Sequence, residues 1–255
     1  MPPEVMSFWD HLDALRNSLI HMMVATLVAS VAAFCFKDAL FSAVLWPTQA
    51  DFPTYRLLNI EPASIQLINT ELTAQFTIHI RMAFVIGILA ISPYLLFTLF
   101  QFIAPALYAN ERRLGIRLIA AAYFAFFIGL AISYLLLFPL SVRFLADYSV
   151  SAEVLSLISL SSYINTLLSL SLLFGLVFEM PVVAWLLGWA GMLKASWMRR
   201  YWRHAVVTIL IAAAIITPTT DALTLIIVSL PILLLYEFSI WLVKLTNKTQ
   251  QTTQT

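Results

Sequence analysis

Long apolar stretches separated by short polar segments run through the whole chain. Six can be drawn, at Leu19–Phe36, Phe76–Ile103, Leu118–Phe138, Ile164–Trp189, Ala205–Ile216 and Ala222–Leu242. None alternates with period two, so helices are predicted rather than the strands of a barrel. A hydrocarbon core of about 30 Å takes roughly twenty residues at 1.5 Å per residue. The first four stretches are long enough to cross it. The fifth, Ala205–Ile216, reaches only about 18 Å by the same rise. The sixth meets Glu237 after about fifteen residues. Between these two, Thr217-Pro218-Thr219-Thr220-Asp221 reads as a tight turn. The pair is either two short spans across a locally thinned bilayer or a re-entrant hairpin. Charge on both flanks favours two short spans.

Composition turns this pattern into a fold class. The chain is 62% hydrophobic and 11% charged, against roughly 25% charged residues in a soluble domain. Its solvent is therefore lipid, and helices satisfy the backbone internally there. The expectation is an all-α integral membrane protein with six transmembrane helices, the last two short. One polytopic domain over residues 1–245 is followed by a polar, disordered tail at 246–255.

Charge sets orientation. With the N-terminus inside, ten Lys and Arg fall on the cytoplasmic side, concentrated at Arg112, Arg113 and Arg117 and at Arg199, Arg200 and Arg203. Four fall outside, at Lys37, Arg56, Arg81 and Arg143. The excess predicts N-in and C-in. The outer segments 37–75 and 139–163 are then long loops. Glu4, Asp10 and Asp13 against Arg16 give the wrong charge for a cleavable signal peptide, so the first stretch is expected to be a retained span.

The absent chemistry narrows function. A net charge of +1 offers no basic field for nucleic acid. Cys35 is the single cysteine, which excludes an internal disulfide and a cysteine metal site. There is no glycine-rich phosphate loop, metal motif or nucleophile elbow. No catalytic residue, cofactor or metal is expected, and the protein is not expected to be an enzyme. His11, His21, His79 and His204 are scattered and read as interfacial or packing residues. Work done by this chain would draw on the membrane potential, a proton gradient or a partner.

A few polar residues are costly to place. Glu179 lies late in the fourth stretch, where an unpaired carboxylate costs several kcal/mol. Pro181, two residues on, cannot donate to Val177 and distorts the helix. Glu179 is either a docking point for a polar group on another membrane helix or a side chain reaching the cytoplasmic interface. Glu111 precedes Arg112 and Arg113, which fits a solvated helix start. Asp10 and Asp13 stand on an amphipathic stub, Phe8–Leu15, that would lie in the interface. These three acids share a face dominated by positive charge, and they are suited to paired hydrogen bonds with arriving guanidinium groups. Asp221 and Glu237 flank the last span, Asp221 as a helix cap.

Several motifs now stand in order. Phe102-Ile103-Ala104-Pro105-Ala106-Leu107-Tyr108, followed by Glu111-Arg112-Arg113, resembles the first cytoplasmic loop of the TatC family. Phe174-Gly175 with Phe178-Glu179-Met180-Pro181 resembles its fourth-span motif. Phe138-Pro139-Leu140 is similar to the end of its third span. Thr217-Pro218 with Asp221, then Pro231 and Tyr236-Glu237, is similar to its last hairpin. His11-Leu12 with Leu15-Arg16 is similar in part to its N-terminal motif. The matches cover nearly the whole chain.

The resemblance implies a receptor subunit of the twin-arginine translocase in the bacterial cytoplasmic membrane. Such a subunit binds twin-arginine signal peptides of folded precursors, assembles with TatA-like and TatB-like single-span partners as an oligomer, and is driven by the proton-motive force. Glu111, with Asp13, Asp10 and Arg16, would form the signal-peptide site. Glu179, Pro181, Thr217 and Asp221 would form the intramembrane polar site for a partner helix or an inserted signal peptide.

The chain departs from the family in places. The glutamate of the family's His-Leu-x-Glu-Leu-Arg motif is Ala14 here, with Asp13 one residue earlier, a rotation of about 100° on a helix. Thr98, Phe100 and Leu225 replace the family's usual Gln, Trp and Gln. A divergent scaffold with weakened signal recognition is one alternative. A small-molecule secondary transporter is another, although only Glu179 and the Thr217–Asp221 turn could build its midplane site and no internal repeat supports it.

Overall fold

The computed structural model describes residues 8–61, 65–107, 112–147, 157–216 and 222–253. Eleven α-helices lie within them. They are α1 (Phe8–Cys35), α2 (Lys37–Leu45), α3 (Pro53–Leu58), α4 (Ala74–Leu107), α5 (Arg112–Ile132), α6 (Phe138–Asp147), α7 (Leu160–Val177), α8 (Met180–Trp189), α9 (Ala195–Arg200), α10 (Trp202–Ile216) and α11 (Ala222–Thr253).

Five helical stretches are long and apolar enough to cross a membrane: Leu15–Cys35, Ala74–Thr98, Leu118–Ala146, Leu160–Trp189 and Thr224–Thr246. A shorter apolar stretch, Trp202–Ile215, is the sixth. The fourth is the centre of the bundle, with 61% of its window buried inside the protein against 0% for the first. The first span packs on α4. The α7 helix packs on α4 and α5, and α8 packs on α11, which also carries α10. Phe138, Ile164, Leu170 and Phe174 are fully enclosed between these helices.

Three expectations change. The stub Phe8–Leu15 is not a separate interfacial helix, because α1 runs unbroken through it into the first span. Its apolar residues leave no breaker to stop it. The α11 helix passes Glu237 and continues to Thr253, where the sequence predicts a disordered tail. Glu237 breaks the apolar run but not the helix, since glutamate is a good helix former, and its carboxylate pairs with Arg199 at 3.6 Å. Among the described residues, the outer segments carry regular structure where long loops are expected. They carry α2, a 3-10 turn at Trp46–Thr48, α3, and a two-residue parallel strand pair, β1 (Leu67–Ile68) with β2 (Ile158–Ser159), aligned Leu67 to Ile158.

Hydroxyl groups fasten this outer cap to the spans. Tyr134 donates to the carbonyl of Ala43 (2.5 Å) and Tyr163 to that of Val44 (3.2 Å), while Tyr55 donates to Pro47 within the cap itself (3.0 Å). Burial pushes the Tyr55 phenol up in pKa, with Arg143 pulling part of the way back. Arg143 donates to the carbonyl of Glu61, and Arg81 joins Asn165 across α4 and α7.

Prolines shape the third span. Pro139 has no N–H for the carbonyl of Leu135, four residues back. The helix answers with a π segment at Ser133–Leu137, in which the N–H of Phe138 bonds Ser133. Thr54, on α3, supplies the missing donor to Leu135. Pro93 in α4 is handled alike, since Ser92 donates to Leu89 at 2.7 Å.

Candidate functional site

The intramembrane site forms at the α7–α8 break. The N–H of Glu179 bonds Leu176 at 3.1 Å, a tightened turn rather than an α-helical step, and α8 restarts at Met180 with Pro181 in its first turn. Proline is well placed there, because first-turn N–H groups lack helical acceptors. The break lets one span serve two neighbours, with α7 turned toward α5 and α8 toward α11.

Gly129 of α5 makes the approach to α7 possible. A Cβ there would lie 2.9 Å from the Cβ of Phe178 and press on the backbone of Phe174. Gly175 likewise meets the Phe126 ring, where a Cβ would come within 2.7 Å. These contacts pin the backbone immediately before Glu179.

Glu179 is itself 8% exposed, and neither carboxyl oxygen has a hydrogen-bond partner among the described residues. Snorkelling to the interface is therefore not what the side chain does. Leu176, one turn before it, and Val183, one turn after, are 58% and 41% exposed. The carboxyl group is thus buried between two residues exposed on the surface of the bundle. A group so placed has acceptor capacity that the fold leaves unused, at a cost of several kcal/mol. Thr217 and Asp221 lie outside the described residues.

On the cytoplasmic side, Asp13 and Arg16 pair at 3.4 Å on α1, with side chains 67% and 68% exposed. Their spacing of three residues puts them on one helix face, and Asp10 stands one turn earlier in the same register. Of Asp10 the backbone alone is described. An exposed pair of this kind holds weakly. Glu111 lies outside the described residues. The sequence reading missed Tyr134, Tyr163 and Thr54, which bind the outer cap. Pro139 was the signal for Thr54 alone, because a proline late in a span leaves a carbonyl needing a donor from elsewhere.

The architecture defines a polytopic helical membrane protein with a polar break in its central span and an acidic helix end on its cytoplasmic side. The family profile described as "Sec-independent protein translocase protein (TatC)" matches residues 10–231. The Sec-independent protein translocase protein TatC of Deinococcus radiodurans is 35% identical, over 94% of this chain and 87% of its own. That of Aquifex aeolicus is 30% identical, over 98% of this chain and 99% of its own. A crystal structure described as a twin arginine translocase receptor, TatC, superposes with a TM-score of 0.80 at 31% identity, covering 92% of this chain and 99% of that one. The chain belongs to the TatC family. It is a component of a Sec-independent protein translocase and a multi-pass protein of the bacterial inner membrane. This displaces the small-molecule transporter reading.

Proposed function

We propose that this chain is the signal-recognising subunit of a twin-arginine translocase, taking twin-arginine signal peptides of folded precursors at its cytoplasmic face. The likeness in fold and sequence to a twin arginine translocase receptor over 92% of the chain carries the reading. Glu111, Asp13 and Asp10 are the carboxylates that receive the arginine pair, and Arg16 holds Asp13 until the peptide arrives. Glu179, at the Pro181 break, is the acceptor for a polar group on a TatA-like or TatB-like single-span partner or on an inserted signal peptide. Thr217 and Asp221 belong to the same membrane-facing site. Work comes from the proton-motive force.

The test is photo-cross-linking of a twin-arginine signal peptide to the purified protein. Glu111→Ala should abolish the cross-link while the protein stays folded, and an Arg-Arg to Lys-Lys change in the peptide should weaken it in the wild type. A cross-link that survives Glu111→Ala contradicts the assignment of Glu111. The divergent-scaffold reading draws on Ala14. It predicts normal partner co-purification together with failure to complement a strain lacking TatC.

A further inference from the structure

The cytoplasmic corner between α9 and α10 is not used by the function above. Gly191, at φ +72°, turns the chain after α8. The α9 helix then carries Arg199 and Arg200, and Tyr201 leads into α10 with Trp202 and Arg203. A cleft of about 360 Å³ opens here, lined by Arg199, Arg200, Trp202, Arg203 and Glu237. Arg199 is engaged by Glu237 at 3.6 Å. Among the described residues no carboxylate pairs with Arg200 or Arg203, so the cleft keeps two uncompensated guanidinium groups.

The fold holds this corner in place. The Tyr236 hydroxyl donates to the carbonyl of Met198 at 2.8 Å, tying α9 to α11 beside the Arg199–Glu237 pair. The surroundings place the cleft at headgroup depth. Trp197, Tyr201 and Trp202 are exposed around it, as aromatic residues are at a membrane interface. Val207, Ile211 and Ile215 follow Arg203 at intervals of four on α10, and they are 55%, 55% and 78% exposed. Residues four apart share one helix face. Cations at one end of that face and an apolar stripe below them match a molecule with a phosphate at one end and acyl chains at the other.

We propose that the α9–α10 corner is a headgroup site for an anionic phospholipid of the cytoplasmic leaflet, with Arg200 and Arg203 on the phosphate and the Val207–Ile211–Ile215 stripe along an acyl chain. Guanidinium groups bind phosphate by paired hydrogen bonds, and basic pockets between membrane helices on the cytoplasmic side take anionic headgroups. A free phosphate or a soluble acidic peptide would use the cations but not the stripe.

The experiment titrates the full-length protein in detergent with phosphatidylglycerol, phosphatidylcholine or inorganic phosphate and counts bound lipid by native mass spectrometry. Replacing both cations (Arg200→Gln with Arg203→Gln) should weaken phosphatidylglycerol roughly twenty-five-fold, at about five-fold per cation. Phosphatidylcholine should be unaffected, and so should phosphatidylglycerol binding after the same charge change outside (Lys37→Gln with Arg56→Gln). Glu237→Gln frees Arg199 and should tighten phosphatidylglycerol about five-fold, a gain that misfolding cannot mimic. Equal losses from the inner and outer pairs overturn the site. Displacement of the lipid by inorganic phosphate at equal concentration, or by an acidic peptide, assigns the cleft to another ligand and overturns the proposal.

Discussion

Pro139 and Pro181 interrupt neighbouring spans, and the fold treats them in opposite ways. At Pro139 the freed Leu135 carbonyl receives the Thr54 hydroxyl, the π segment absorbs the extra residue, and the outer cap is locked down in the process. At Pro181 no described side-chain hydroxyl reaches the Val177 carbonyl, and a carboxyl group with two unpartnered oxygens is left beside it. The first break is complete within the chain. The second is incomplete among the described residues, is flanked by the exposed Leu176 and Val183, and follows backbone on which Gly129 packs closely. A saturated break stabilises a fold, whereas an unsaturated one keeps acceptor capacity open, which is the basis of the docking role proposed for Glu179.

The largest effects should come from the open break. Glu179→Leu removes a buried group without a partner, so the isolated protein should unfold at a higher temperature. Export should fall roughly ten- to a hundred-fold, the worth of a hydrogen bond to a charged group. Calorimetry in detergent and an export assay read the two opposite signs. Gly129→Ala comes next. It forces α5 from α7 against backbone that cannot yield, at a cost of up to about 3 kcal/mol, seen as a lower unfolding midpoint together with reduced export. Thr54→Val strands the Leu135 carbonyl and should cost about 1–2 kcal/mol with export retained. If Thr54→Val impairs export more than stability, the contrast between the two breaks fails. Smallest is Asp13→Asn, which should change stability by less than about 1 kcal/mol while weakening signal-peptide cross-linking.

Much of this was legible in the sequence. Apolar length marked the crossings, and the shortness of the fifth was plain from the charges that bound it. Glu179 and Pro181 announced themselves because each is costly in a membrane helix. Contacts between distant residues were hidden. Thr54 meets Leu135 across 81 positions, and Tyr163 meets Val44 across 119. Nothing local in Thr54 marks it as the donor for a proline's orphan. Arg81 and Arg143 counted in the sequence only as outer charges, and the fold also uses them to join helices and brace the cap. The continuity of α1 was obscured by the acids Asp10 and Asp13, which resemble the polar face of a surface helix when read alone. Of the residues assigned to signal binding, Asp13 and Arg16 are seen together, whereas Glu111 lies outside the described residues.

Co-purification of a single-span partner subunit with Glu179→Leu, compared with wild type at equal amounts of folded protein, tests the central claim most directly. Loss of the partner from a variant at least as stable as the wild type is the predicted result. A partner retained in full would show that the open break at Pro181 is not a docking site.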